Sequence, residues 1–161
     1  MKQTISPYEA IVTCLILIAA VLILLYTFSN PILVIKGILF TLCMTAISYC
    51  DAKTETIPDS LLILLIPIGL IDVGWESVAG IAIALPFLIF ALATKNVIGG
   101  GDIKMLAACG FVLGRCAIMG MLFGFTLFTI THLYAHINKK RSTYALAPSF
   151  SIGCFFAFIL I

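Results

Sequence analysis

Gly99-Gly100-Gly101-Asp102-Ile103-Lys104-Met105-Leu106-Ala107-Ala108-Cys109 passes from three glycines through an aspartate into an apolar run that continues to Leu113. The glycines carry no Cβ, so the backbone there reaches conformations closed to other residues and lets other atoms approach. The apolar run, interrupted only by Lys104, reads as a helix. An aspartate at the point where a glycine loop becomes a hydrophobic helix has two readings. It caps the helix, accepting hydrogen bonds from the first free amides, or it is held there for chemistry. On these residues alone the two stand level.

The surroundings of that stretch follow from composition. Of the 161 residues, 63% are hydrophobic and 10% charged, whereas soluble domains are about half apolar and about a quarter charged. That balance excludes an ordinary soluble enzyme and makes the chain an integral membrane protein. The expected fold class is all-α, a polytopic bundle of six to seven transmembrane helices forming one domain over residues 1–161. No internal repeat or low-complexity tract breaks it up.

Working outward, apolar runs fall at 10–28, 32–50, 61–71, 78–94 and 103–114, then in a sixth ending near 137, and at 146–161. The first has the length to cross a hydrocarbon core about 30 Å thick and is too long for a cleavable signal, so it reads as a retained helix. Lys36 sits near enough to the start of the second run to snorkel. The third contains Pro67 and Gly69. Even counted from Pro58, where proline suits an opening helical turn, it rises only about 21 Å. A thinned bilayer or sheltering neighbours must accommodate it. Pro86 predicts a kink in the fourth. The fifth either stops at Gly114 or continues to about Gly120 with Arg115 snorkelling. Trp75, beside the polar turn 72–77, suits an interfacial anchor.

Seven crossings put the amino terminus and loops 51–60, 95–104 and 138–145 on one face. That face carries Lys2, Lys53, Lys95, Lys104, Lys139, Lys140 and Arg141, against Lys36 and Arg115 on the other. The positive-inside rule assigns the first face to the cytoplasm. Asp51 and Asp102 fall on it together, because two crossings separate them. Two acids brought close cannot both ionise cheaply, so such a pair shares a proton. The ionised member would take a proton from water while the neutral member polarises a scissile carbonyl. The glycines would let an extended substrate backbone lie against the loop.

Gly99-x-Gly101-Asp102 followed by Ile103-Lys104, with Asp51-x-Lys53 and Ile57-Pro58 upstream, resembles the GxGD aspartic peptidases and specifically the prepilin peptidases. The resemblance covers roughly residues 45–115. It implies an endopeptidase of the bacterial inner membrane that removes short basic leaders from prepilins or pseudopilins on the cytoplasmic side. Asp51 and Asp102 are then the catalytic pair. Gly99, Gly100, Gly101, Lys104 and Lys53 are motif or substrate-binding positions, with snorkelling an equal role for Lys104. No metal, cofactor or nucleic acid is expected. The expected partners are the prepilin substrate and membrane lipid, and the oligomeric state is open.

The chain departs from the family pattern in three places. Asp59 stands where asparagine is frequent, Glu55 adds a further acid, and the paired cysteines of a zinc domain are missing. Asp59 is read as a helix cap rather than the catalytic acid. The missing cysteines imply a short form that cleaves without methylating. The six cysteines, Cys14, Cys43, Cys50, Cys109, Cys116 and Cys154, form no CxxC pair and read as small buried reduced thiols. His132 and His136 share a helix face at i, i+4 but lack a neighbouring acidic or thiol ligand, and packing is preferred to metal binding. Two rival functions remain at this level. One is an ion-coupled carrier using both aspartates, the other a non-catalytic membrane subunit of a pilus or secretion machine.

Overall fold

The computed structural model describes residues 7–94, 99–137 and 145–161, and every regular element among them is a helix. The order is α1 (Pro7–Thr27), α2 (Pro31–Thr54), α3 (Asp59–Leu70), α4 (Trp75–Ala82), α5 (Leu85–Thr94), α6 (Gly100–Leu113), α7 (Ala117–Ile137) and α8 (Ala147–Ile159), with a 3-10 turn at Gly114–Cys116. Stretches Pro31–Thr54, Trp75–Thr94 and Gly100–Tyr134 are long and apolar enough to cross a membrane. Helices Ile11–Thr27, Asp59–Leu70 and Ala147–Ile159 are apolar but shorter. Broad apolar faces stay exposed on α1, α3, α5 and α7, as a bundle solvated by lipid requires. The all-α membrane bundle is therefore borne out.

The core lies where α2, α3, α6 and α8 meet. Phe40, Met44 and Ile47 of α2 pack with Leu65 of α3, Met105 and Cys109 of α6, and Phe150, Cys154 and Phe158 of α8. Between helices in lipid, close packing rather than hydrophobicity drives association, so small residues gather at contacts. The α4–α6 crossing shows this. A Cβ on Gly80 would stand 2.0 Å from the Gly110 carbonyl oxygen, and one on Gly110 would stand 2.2 Å from that of Gly80. Gly114 ends α6 with φ at +58°, a left-handed conformation that glycine adopts freely. This settles the open question about the fifth helix: it stops at Gly114. The break expected at Pro86 falls just before it, at Ile83–Ala84, which separates α4 from α5.

Several expectations need correction. Residues 51–54 belong to α2 rather than to a loop, because Glu55 adopts a left-handed conformation at the C-cap and its N–H donates to the Asp51 carbonyl at 2.9 Å. Lys36 does not snorkel. It is 3% exposed, enclosed by its neighbours in the bundle. Of the cysteines, Cys43, Cys109 and Cys154 are buried, Cys50 and Cys116 half-buried and Cys14 exposed, all as free thiols. Trp75 is largely exposed at the start of α4, and His132 stacks on Phe128 at 5.7 Å. Lys2, Lys95, Lys139, Lys140 and Arg141 lie outside the described residues, as does the His136 side chain.

Candidate active site

Both α3 and α6 begin at one end of the bundle and run away from it. Their far ends lie near the Arg115–Glu76 ion pair, 2.9 Å, between the turn after α6 and α4. At the near end, α2 arrives with Asp51 in its last turn. Three segments close around it: residues 55–58, the start of α6 at Gly99, and the start of α8 at Ala147. They enclose a cavity of about 470 Å³ lined by Asp51, Glu55, Thr56, Ile57, Asp59, Gly99, Gly101, Asp102, Lys104, Ala145 and Leu146.

Asp51 is 6% exposed. Its Oδ2 accepts a hydrogen bond from the backbone N–H of Ala147 at 2.9 Å. Ala147 opens α8, so this amide is one of the donors that a helix start leaves without an intrahelical partner. The bond fixes one carboxylate oxygen of Asp51 and leaves the other outside that contact. One turn further into the bundle, Ser48 of α2 and Ser151 of α8 hydrogen-bond to each other through their hydroxyls. The Ser48 hydroxyl is 2.8 Å from the Met44 carbonyl and 3.2 Å from that of Ala147. The Ser151 hydroxyl is 2.7 Å from the Ala147 carbonyl and 3.3 Å from that of Met44. Two hydroxyls and two carbonyls thus form a ring tying α2 to α8 directly beneath the Asp51–Ala147 contact.

Asp102 is not the N-cap of α6. Gly99 holds that position, with extended dihedrals and no side chain to cap, and Asp102 occupies the third helical residue. An acid in the first turn is favoured there by the helix dipole. Its carboxylate folds back over Gly99: a Cβ on that glycine would stand 2.9 Å from Asp102 Oδ2. Asp51 is close enough for its charge to act on Asp102. The two acids of the sequence reading therefore face one cavity from different helices.

The remaining sequence-selected residues divide. Gly99, Gly101 and Lys104 line the cavity, whereas Gly100 and Lys53 are not among its lining residues. Lys53 Nζ sits 4.7 Å above the Tyr49 ring. Gly101 lies against Ile57, to which an added Cβ would come within 3.4 Å, and Gly100 faces open space. Asp59, expected as a helix cap, follows the cap residue Pro58. It binds Lys104 Nζ through both carboxylate oxygens, each at 2.9 Å. Lys104 is therefore a paired cation, in an ion pair exposed on both sides.

Sequence reasoning missed the Ala147 amide, the Ser48–Ser151 pair and the lining contributed by residues 145–146. A backbone amide has no sequence signature, and serines inside apolar helices give only a weak one. No group of three or more potential metal ligands occurs among the described residues.

The type IV leader peptidase family matches residues 38–160, a span that includes both aspartates and the start of α8. The chain is 28% identical over 130 residues to a prepilin leader peptidase/N-methyltransferase of Neisseria gonorrhoeae, covering 73% of this chain and 46% of that protein. It is 26% identical over 163 residues to a prepilin leader peptidase/N-methyltransferase of Bacillus subtilis strain 168, covering 94% of this chain and 64% of that protein. The chain thus spans less than two thirds of the length of each of these relatives. No solved structure matches it.

Proposed function

Because the chain belongs to the type IV leader peptidase family, we propose that it is a membrane-embedded aspartic endopeptidase with Asp51 and Asp102 as its catalytic pair. It would remove the leader of prepilins or pseudopilins at the cytoplasmic face of a bacterial inner membrane. The observation that carries this reading is the meeting of two carboxylates from α2 and α6 in one cavity. The reading covers the peptidase step only, and the methyl transfer named for the longer relatives is not carried over.

In this mechanism the ionised carboxylate of the pair takes a proton from a water molecule whose oxygen attacks the scissile carbonyl carbon. The protonated partner donates its hydrogen to the carbonyl oxygen, giving a neutral tetrahedral intermediate. Collapse of that intermediate breaks the C–N bond. A proton passes from the pair to the departing nitrogen, and the products are a carboxylic acid and an amine. The Ala147 amide orients Asp51 for this work, because a positioned acid contributes only when it is held within reach of the atom it serves.

The test is leader cleavage in membranes, comparing the unmodified protein with Asp51→Asn and Asp102→Asn at matched expression. Asparagine keeps the size and hydrogen-bonding capacity of each acid but cannot exchange the proton. Loss of the mature product in both variants is expected. Cleavage surviving both substitutions would overturn the aspartic mechanism.

A further inference from the structure

We propose that the apolar groove between α3 and α6 seats an apolar helix of the substrate, with the Asp59–Lys104 ion pair marking where that helix gives way to the segment entering the aspartate cavity. The proposal rests on the peptidase reading of that cavity.

The groove has a volume of about 580 Å³ and shares Asp59 and Lys104 with the aspartate cavity. From that pair two stripes descend side by side. On α3 the stripe is Leu62, Ile63 and Ile66, and on α6 it is Ala107, Ala108 and Phe111. Steps of three and four residues keep each stripe on one helix face. The two helices run in the same direction, and from the ion pair to Ile66 or Phe111 is about 10 Å, two helical turns. Alanines on the α6 side let another helix come close, as small residues do between helices in lipid. The foot is closed where the Phe111 ring covers Gly69.

The chemistry of the two spaces differs sharply. The aspartate cavity is lined by four acids, Asp51, Glu55, Asp59 and Asp102, and by the base Lys104. Every other lining residue of the groove is apolar. A ligand filling both must change from polar, with basic character, to apolar as it passes the ion pair. Asp59 and Lys104 neutralise each other there, so an apolar segment meets no unbalanced charge at the junction. A lipid acyl chain suits the groove alone. A polypeptide whose scissile bond lies at the aspartates suits both, and its apolar flank is the occupant.

The probe is a prepilin that the Bacillus subtilis relative cleaves. Ile66→p-benzoyl-phenylalanine, in the full chain carrying Asp102→Asn so that substrate accumulates, is irradiated in membranes with that prepilin. The expected adduct joins position 66 to the apolar stretch of the prepilin and is lost when unlabelled prepilin competes. Separately, Ala108→Phe in the otherwise unmodified protein fills the groove and should raise KM about tenfold with kcat little changed. Ile89→Phe, on the exposed face of α5, should change neither. Adducts to lipid alone, adducts to the leader, or an unchanged KM in Ala108→Phe would overturn the groove while leaving the peptidase reading intact. Failure of the unmodified protein to cleave would overturn both.

Discussion

Substituting the three glycines one at a time separates two explanations for their presence. If they exist to let a substrate backbone approach, all three should resist alanine, and Gly100, facing open space, most of all. The geometry predicts another order. In Gly99→Ala the new methyl would stand 2.9 Å from Asp102 Oδ2, so the carboxylate must retreat by about 0.5 Å to reach ordinary contact. The backbone at Gly99 is at φ −62° and ψ 133°, which alanine adopts without strain, and the displaced atom ends a flexible side chain. Stability should therefore fall by about 1 kcal/mol or less, the cost of a poorer cap. Activity should fall further, because an error of about 1 Å in a reacting group costs about a hundredfold; half that displacement corresponds to about tenfold in kcat. Gly100→Ala meets nothing and removes a flexible residue from a helical turn, so it should gain about 0.5–1 kcal/mol with activity unchanged. Gly101→Ala, at 3.4 Å from Ile57, should lie between. The assay is initial-rate prepilin cleavage in detergent or proteoliposomes, with thermal unfolding measured alongside. Gly100→Ala as the most damaging of the three would return the glycines to a role in substrate contact.

Two further outcomes follow from the packing. Ser48→Ala and Ser151→Ala should each destabilise by about 0.6 kcal/mol, the average for an interhelical hydrogen bond in lipid. The double variant should cost less than the sum because each hydroxyl is a partner of the other, and kcat should fall about threefold as α8 loosens around Ala147; strict additivity in a thermal-unfolding cycle would argue against a shared ring. Gly80→Ala places its methyl against the backbone of α6 rather than against a movable side chain, so a loss of about 3 kcal/mol is expected. A melting temperature equal to that of the unmodified protein would show that the α4–α6 crossing is looser than described.

The helices were legible because lipid enforces long apolar runs, and the paired acids because charge is rare among them. Their immediate surroundings were less so. Residues 51–54 are polar enough to resemble a loop, yet α2 continues through them. The residue that terminates it, Glu55, is neither glycine nor asparagine, the usual left-handed caps. A cap was one of two level readings of Asp102 because it follows glycines, whereas the helix begins two residues earlier and its cap has no side chain. Lys36 was placed by distance from a helix end, a measure blind to the helices packed around it. Asp59 and Lys104, separated by 45 positions in the chain, offered no local sign that each was the other's partner.

The two acids are held by different means, and this bears on how the site is kept. Asp102 is placed by its own helix: it stands in the first turn of α6 with its carboxylate beside Gly99. Asp51 depends on tertiary structure, since its partner amide lies 96 positions away on α8 and α8 is held there by the serine ring. An amide donor at that point is available only because a helix begins there, and it is available only while α8 is docked. The cavity is thus complete when α2, α6 and α8 are all in place, and undocking of α8 would remove the Ala147 restraint on Asp51. Two acids brought to one cavity from different helices, one of them restrained by a third, come together only in the folded bundle.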